Sequence, residues 1–278
     1  GALIGLLAFV FDPFSNLITS FNFTEVFLML LSACFLIPYP AVPQRYFNLF
    51  HLNPPTWSLF WEYIANIVYA VWLVRVSKNT LWIILIIAAG LLYMESYQSG
   101  YLAVGFGGDN FWAGGIRLSF SFTAGILLYR SNGLIRQNIS FWLLSLGLSL
   151  IFFIPYSEIF SPIIDPLIVI FYFPLLISLA AGKINFGETT KKLGKWLGDI
   201  SYPLYVIHYP FIWIFMSYVE KESPDRGNMA ILVSIGMVCL LFLAHVILRW
   251  VDEPIRYYLT ERSKRINISR DVKAGDKL

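Results

Sequence analysis

Charge is scarce in this chain. Only 13% of its 278 residues are Asp, Glu, Lys or Arg, while 58% are apolar and the mean hydropathy is +0.67. A globular protein in water carries about 25% charged residues, and charged side chains almost never go inside unpaired. A water-soluble fold of this size is therefore excluded. Cysteine is nearly absent as well. Cys34 and Cys239 lie far apart in apolar runs, which excludes a disulfide framework, a CxxC redox pair and a zinc site. The net charge of +3 is small and dispersed, which argues against a nucleic-acid partner. The chain opens Gly1-Ala2-Leu3-Ile4 with no Met and no basic stretch before the apolar run. That is not a signal peptide, and it reads as a chain cut within a membrane segment.

What remains is abundant apolar and aromatic sequence, the aromatics at 18%, where Trp and Tyr anchor span ends at the interface. Runs of about 20 apolar residues cross a hydrocarbon core of roughly 30 Å. Spans are predicted at Trp57–Val76, Leu81–Met94, Gly114–Tyr129, Phe141–Ile154, Pro162–Ala181, Ile200–Val219 and Met229–Val251. All must be helical, because lipid tolerates no open sheet edge. Gly1–Phe11 is expected to be part of one further span, and Phe23–Pro38 an interfacial or re-entrant segment.

Basic residues orient these spans. Arg75, Lys78, Arg130, Arg136, Lys183, Lys191, Lys192, Lys195 and seven more from Arg256 onward fall on one side. The alternate loops hold only Lys221 and Arg226, and Arg45 precedes Trp57 on that same side. The C-terminus is thus expected in the cytoplasm, with Trp57 entering from outside. The segment 261–278 reads as a solvated, disordered basic tail, and Gly105-Phe106-Gly107-Gly108 as a flexible outer loop. His245, on the apolar last helix near Arg249, reads as structural or interfacial.

Ionisable groups at membrane depth are costly and mark function by default. After Asn53-Pro54-Pro55, Thr56 is a candidate N-cap, and Ser58, Glu62, Asn66 and Tyr69 then recur on one helical face. Arg117, Ser121 and Ala124/Gly125 share a face of a second helix. On a third, Ser201, Tyr205 and His208 align, and Pro210 cannot donate to the carbonyl of Val206. A kink and a free acceptor beside His208 are expected. At a rise of 1.5 Å per residue, Glu62 and His208 differ in height by only about 10 Å, so both are expected to line one cavity near mid-membrane. Bland readings compete: a structural Glu62–Arg117 ion pair fixing helix register, or His208 as a hydrogen-bonded packing residue.

These segments resemble the acyltransferase-3 family of multi-pass bacterial O-acyltransferases of surface polysaccharides. Trp57-Ser58-Leu59 with Glu62 is similar to that family's Trp-Ser-Leu-x-x-Glu helix. Arg117 with Phe122 and Gly125 resembles its Arg-to-Phe-to-Gly helix, and Ser201-Tyr202, Leu204-Tyr205 and His208-Tyr209-Pro210 its Ser-Tyr-x-x-Tyr-x-x-His-x-Pro helix. Asp252-Glu253-Pro254 closes the final span similarly. The motifs cover Trp57 to about Tyr258, in order. Ile64-Ala65-Asn66 departs from the family's aromatic pair. The family's two opening helices, the first carrying an Arg and a His taken as catalytic base, are not in this sequence.

The resemblance implies an all-α, polytopic transmembrane helix bundle, about eight spans of an expected ten. It would form one domain over 1–258, with a basic cytoplasmic tail at 259–278. It implies transfer of an acyl group, acetyl by preference, from acyl-CoA as co-substrate to a hydroxyl of a glycan or lipid-linked sugar, beside membrane lipid in the bacterial plasma membrane. Glu62, Arg117 and His208 would be catalytic, and Trp57, Ser58, Asn66, Ser201, Tyr202 and Tyr205 would bind substrate. A transporter or proton-coupled glycan exporter using the same buried groups is the rival reading. It does not predict the order of the motifs, and no inverted repeat pairs the halves.

Overall fold

The structure is a computed structural model, and it describes residues 1–131, 135, 139–181 and 187–275, with side chains to Lys264. Arg136 and Lys183, two of the orienting cations, lie outside the described residues. Eleven α-helices are described: α1 Ala2–Val10, α2 Phe23–Cys34, α3 Thr56–Val71, α4 Lys78–Ser99, α5 Trp112–Arg130, α6 Phe141–Ile151, α7 Ser161–Leu167, α8 Phe173–Ala180, α9 Glu188–Glu222, α10 Arg226–Ile247 and α11 Glu253–Gly275. The chain divides into two compact units, Phe23–Thr189 on one hand and Gly1–Asn22 with Thr190–Leu278 on the other.

In the central unit α4 packs along α5 and α7, α3 lies on α5, and α6 lies on α8. Ala88, Leu92, Leu102, Phe120 and Ala124 form one buried cluster, with Leu73, Leu81 and Leu127 a second toward the other end. Lipid is as apolar as Leu, so close packing rather than water exclusion holds such helices, and small residues such as Ala88 and Ala124 allow the approach. Local chemistry sets the ends of α4. Ser77 accepts from the backbone N–H of Thr80 at 3.2 Å, and Gly100 closes the helix in the left-handed region at φ +78°. Arg130, at the last turn of α5, donates to the carbonyls of Leu73, Val74 and Val76 at 2.9, 2.8 and 2.7 Å. That fixes the chain leaving α3 and gathers Arg75, Lys78 and Arg130 at one end of the unit.

The start of α3 differs from the N-cap expectation. Pro55 is already helical at φ −55°, ψ −20°, because its ring presets that angle. Thr56 therefore falls inside the first turn, and its hydroxyl donates to the carbonyl of Asn53 at 2.7 Å.

Among the described residues, three helical stretches are both long and apolar enough to cross a membrane: 78–99, 161–180 and 226–264. The other predicted spans fall short for identifiable reasons. Helices α3 and α6 have 16 and 11 residues, about 24 and 17 Å at 1.5 Å per residue. Helices α5 and α9 are longer, at 19 and 35 residues, but their polar stripes dilute them.

Two of the long stretches contain a wider, π-type turn, at Ile168–Tyr172 and at Leu248–Asp252. Each ends two residues before a proline, Pro174 and Pro254. A proline has no N–H for the carbonyl one turn back, and widening the turn accommodates that mismatch.

In the terminal unit, Asp12 closes α1 by accepting from the Phe14 N–H at 3.0 Å and from the Ser217 hydroxyl of α9 at 2.8 Å. Asp225 caps α10 through the N–H groups of Gly227 and Asn228, at 2.8 and 3.0 Å. The expected disordered tail is instead helical as far as Gly275. Ion pairs one turn apart, Arg249–Glu253, Asp252–Arg256 and Glu261–Lys264, support it.

Candidate functional site

The polar groups of the central unit are ordered from a folded cap. Residues 42–53 form a loop whose Val42, Arg45, Asn48, Leu49, Phe50, His51, Leu52 and Asn53 are all buried. The Arg45 guanidinium donates to the carbonyl of His51 at 2.9 Å. This loop pairs with the glycine loop through an antiparallel bridge between Asn48 and Gly107. Leu49 N–H reaches the Phe106 carbonyl at 3.3 Å, and Gly108 N–H the Phe47 carbonyl at 3.0 Å. The glycine loop, expected to be flexible, is thus held along its backbone. His51, with 2% of its surface exposed, has its pKa lowered to about 4, first by burial and second by the charge of Arg45.

The glycine loop in turn orients Arg117. Asp165 accepts from the Leu102 N–H at 3.1 Å. Gly105 sits at φ +103°, where a Cβ would stand 2.3 Å from the backbone nitrogen of Gly114, so only glycine fits this contact. The loop presents the Val104 carbonyl, which receives the Arg117 Nη1–H at 2.5 Å. The guanidinium lies over the Trp57 ring, 5.2 Å from its centroid, a cation–π contact. Around it opens a cavity of about 280 Å³ lined by Trp57, Ser58, Trp61, Gly114, Arg117 and Ser121, with Leu92, Leu102, Leu118, Val169 and Phe173 completing the wall. Gly114 leaves room for both indoles, since a Cβ there would meet Trp61 Nε1 at 2.6 Å and Trp57 at 2.9 Å. Trp61 is 9% exposed, and its buried Nε1–H has no acceptor among the described residues.

The structure therefore brings Trp57, Ser58, Arg117 and Ser121 together. Glu62 and Asn66 are not on this wall. Both are exposed, and Asn66 Nδ2 donates to the Glu62 carbonyl of its own helix at 2.8 Å. The cavity follows the 57–58–61 side of α3, and the 62–66 side turns away from it. No ion pair joins Glu62 to Arg117 among the described residues, so the register-fixing pair considered above is not formed.

His208 belongs to the terminal unit, where α9 runs uninterrupted through Pro203 and Pro210. Its Nδ1 lies 2.9 Å from the carbonyl of Tyr205 and 3.1 Å from that of Leu204. Carbonyls only accept, so Nδ1 carries a proton toward them, and Nε2 is the ring nitrogen left for another partner. Ser201, Tyr205 and His208 line a cavity of about 600 Å³ whose other walls, Leu204, Phe211, Ile212 and Phe215 of α9 and Leu232, Val233, Gly236, Met237, Leu240 and Leu241 of α10, are apolar. Tyr202 is exposed and is not on that wall. His245 accepts from the Trp196 indole at 3.3 Å, in keeping with a structural role.

The sequence reading missed Asp165, Gly105 and Trp61, which act by positioning. Only Gly105 carried a signal, as part of a glycine run. Among the described residues no group of His, Cys, Asp and Glu is placed to hold a metal ion.

Comparison with known families extends the motif resemblance. No curated protein and no solved structure matches the chain. The family model for acyltransferase-3, described as an acyltransferase domain, matches residues 2–250. That match begins well before Trp57, takes in both units and includes the Arg117 and His208 helices, so the protein belongs to the acyltransferase-3 family.

Proposed function

We propose that the protein is an integral-membrane O-acyltransferase of the bacterial plasma membrane, with its C-terminus in the cytoplasm. It moves an acyl group, acetyl by preference, from acyl-CoA to a hydroxyl of a cell-surface glycan or glycolipid. The hydroxyl oxygen attacks the thioester carbonyl, a C–O bond forms, the C–S bond breaks, and the thiolate of CoA leaves. The hydroxyl proton passes to His208 Nε2, which later returns it to the thiolate. The observation that carries this role is the orientation of the ring. With Nδ1–H held by two carbonyls of its own helix, Nε2 is the nitrogen left to exchange a proton with substrate.

Arg117 supplies positive charge for a bound anion, with Trp57 and Ser58 shaping its cavity and Ser201 and Tyr205 shaping that of His208. The test is acetyl transfer in membranes from radiolabelled acetyl-CoA to cell glycan. Label is expected to stay covalently on the glycan, and His208→Gln is expected to lower kcat by about 10²-fold or more. Absence of label on glycan, or full transfer by both His208→Gln and Arg117→Ala, would overturn the proposal.

A further inference from the structure

We infer that the Trp57–Arg117 cavity binds a single monosaccharide unit bearing a negative charge, a carboxylate or a phosphate, of the acceptor. It is not a seat for the phosphates of the acyl donor.

Three observations carry this. The first is charge. Arg117 spends one N–H on a neutral carbonyl and faces the Trp57 ring, and no carboxylate lies within ion-pairing distance of it among the described residues. A guanidinium has five donors in a fork that matches carboxylate or phosphate in bidentate fashion. A half-buried one without a counter-ion is costly, and a neutral sugar would leave it so. An anionic ligand completes it.

The second is size and lining. At about 280 Å³ the cavity sits at the lower limit of small-molecule sites, which run from about 300 Å³ upward. That is room for one sugar ring, and too little for a nucleotide. Trp57 offers an indole wall for the C–H face of a sugar, and Ser58 and Ser121, whose hydroxyls donate to the carbonyls of Pro55 and Arg117 at 3.3 and 3.2 Å, keep oxygen lone pairs for a sugar hydroxyl.

The third is position. Arg117 stands 13 residues before Arg130 on α5, about 20 Å along the helix. Arg130, Arg75 and Lys78 make up the basic end of the unit, the end the distribution of basic residues assigns to the cytoplasm. The cavity lies toward the opposite end, beneath the paired outer loops. The donor's phosphates arrive at the basic end, whereas an acceptor glycan meets the end with the cavity.

The inference rests on the acyltransferase reading only for the sugar's role as acceptor, and binding tests it independently. The complete chain in nanodiscs of zwitterionic lipid would be titrated with D-glucuronate, D-glucose 6-phosphate, D-glucose and acetate, followed by saturation-transfer difference NMR. Glucuronate or glucose 6-phosphate is expected to bind at least tenfold tighter than glucose, and their ratio separates carboxylate from phosphate. Arg117→Gln should abolish that preference, and Arg117→Lys, which keeps the charge, should retain part of it. Should Arg117→Gln fail to fold, Gly114→Ala, which fills the cavity from the glycine side, should weaken glucuronate binding in its place.

Glucose binding as tightly as glucuronate would overturn the inference. So would a preference intact in Arg117→Gln, or acetate binding as tightly as glucuronate. Acetyl transfer to a neutral glycan with no preference for acidic acceptors overturns the inference and leaves the acyltransferase standing. Arg117-dependent glucuronate binding without any acetyl transfer does the reverse.

Discussion

At His51 a single side chain ties stability to pH. Above pH 6.5 the imidazole is neutral in folded and unfolded chain alike, and it contributes no pH dependence. Below that, the unfolded chain takes up a proton while the buried ring resists until about pH 4. Stability is therefore lost as pH falls from 6.5 to 4, by about 3 kcal/mol across the window. Hydrogen exchange over 42–53, corrected for intrinsic rates, should show the cap opening more at pH 5 than at pH 7, and His51→Gln should flatten that difference. Equal protection at both pH values would refute it. The two faces of the Trp61–Gly114 contact make a second pair of expectations. Trp61→Phe removes a buried donor that has no acceptor among the described residues and should leave the melting temperature unchanged or higher. Gly114→Ala drives a methyl into two indoles and should cost about 1–3 kcal/mol. That Arg117 and His208 would face cavities was legible in the sequence, because an ionisable group in an apolar run stands out. His51 was not, because it sits in a polar stretch where nothing in the residue order reveals that the backbone folds over it.

Helices are the part of this fold that hydropathy reads well. The Leu81–Met94 run lies inside α4 and Pro162–Ala181 is within a residue of the observed 161–180 helix, since apolar runs and their Ser, Gly and Pro boundaries are local signals. What was not legible is the pairing of 47–49 with 106–108. It is made by backbone N–H and C=O groups, which every residue carries. Nor was the seating of Gly105 on Gly114 readable, since it depends on a contact between a loop and a helix start. Gly105→Ala tests that seating. The added methyl cannot coexist with the Gly114 nitrogen at 2.3 Å, so the loop must lift and withdraw the Val104 carbonyl from Arg117. Acyl transfer should fall at least tenfold, with faster exchange in 101–108. Unchanged transfer would mean that the loop does not position the guanidinium.

The whole molecule answers to orientation. The proposed orientation, with the basic residues inside, puts Asn79 at the start of α4 on the cytoplasmic side and Asp109 in the paired glycine loop on the other. In a background where Cys34 and Cys239, both exposed, are replaced by serine, Asp109→Cys should react with an impermeant maleimide in intact cells. Asn79→Cys should react only after permeabilisation, and the reverse pattern would invert the topology. The family was readable because its motifs are short and keep their order across both units. The division into units was not, because residues far apart in sequence build one of them. The hydrogen bond from Ser217 to Asp12 spans 205 positions. During synthesis at about 5–20 residues per second, the carboxylate waits about 10–40 s for its hydroxyl. The central unit, Phe23–Thr189, emerges entirely within that interval. The meeting of α1 with α9 is therefore a late, long-range step in biogenesis, made only after the whole central unit has been synthesised.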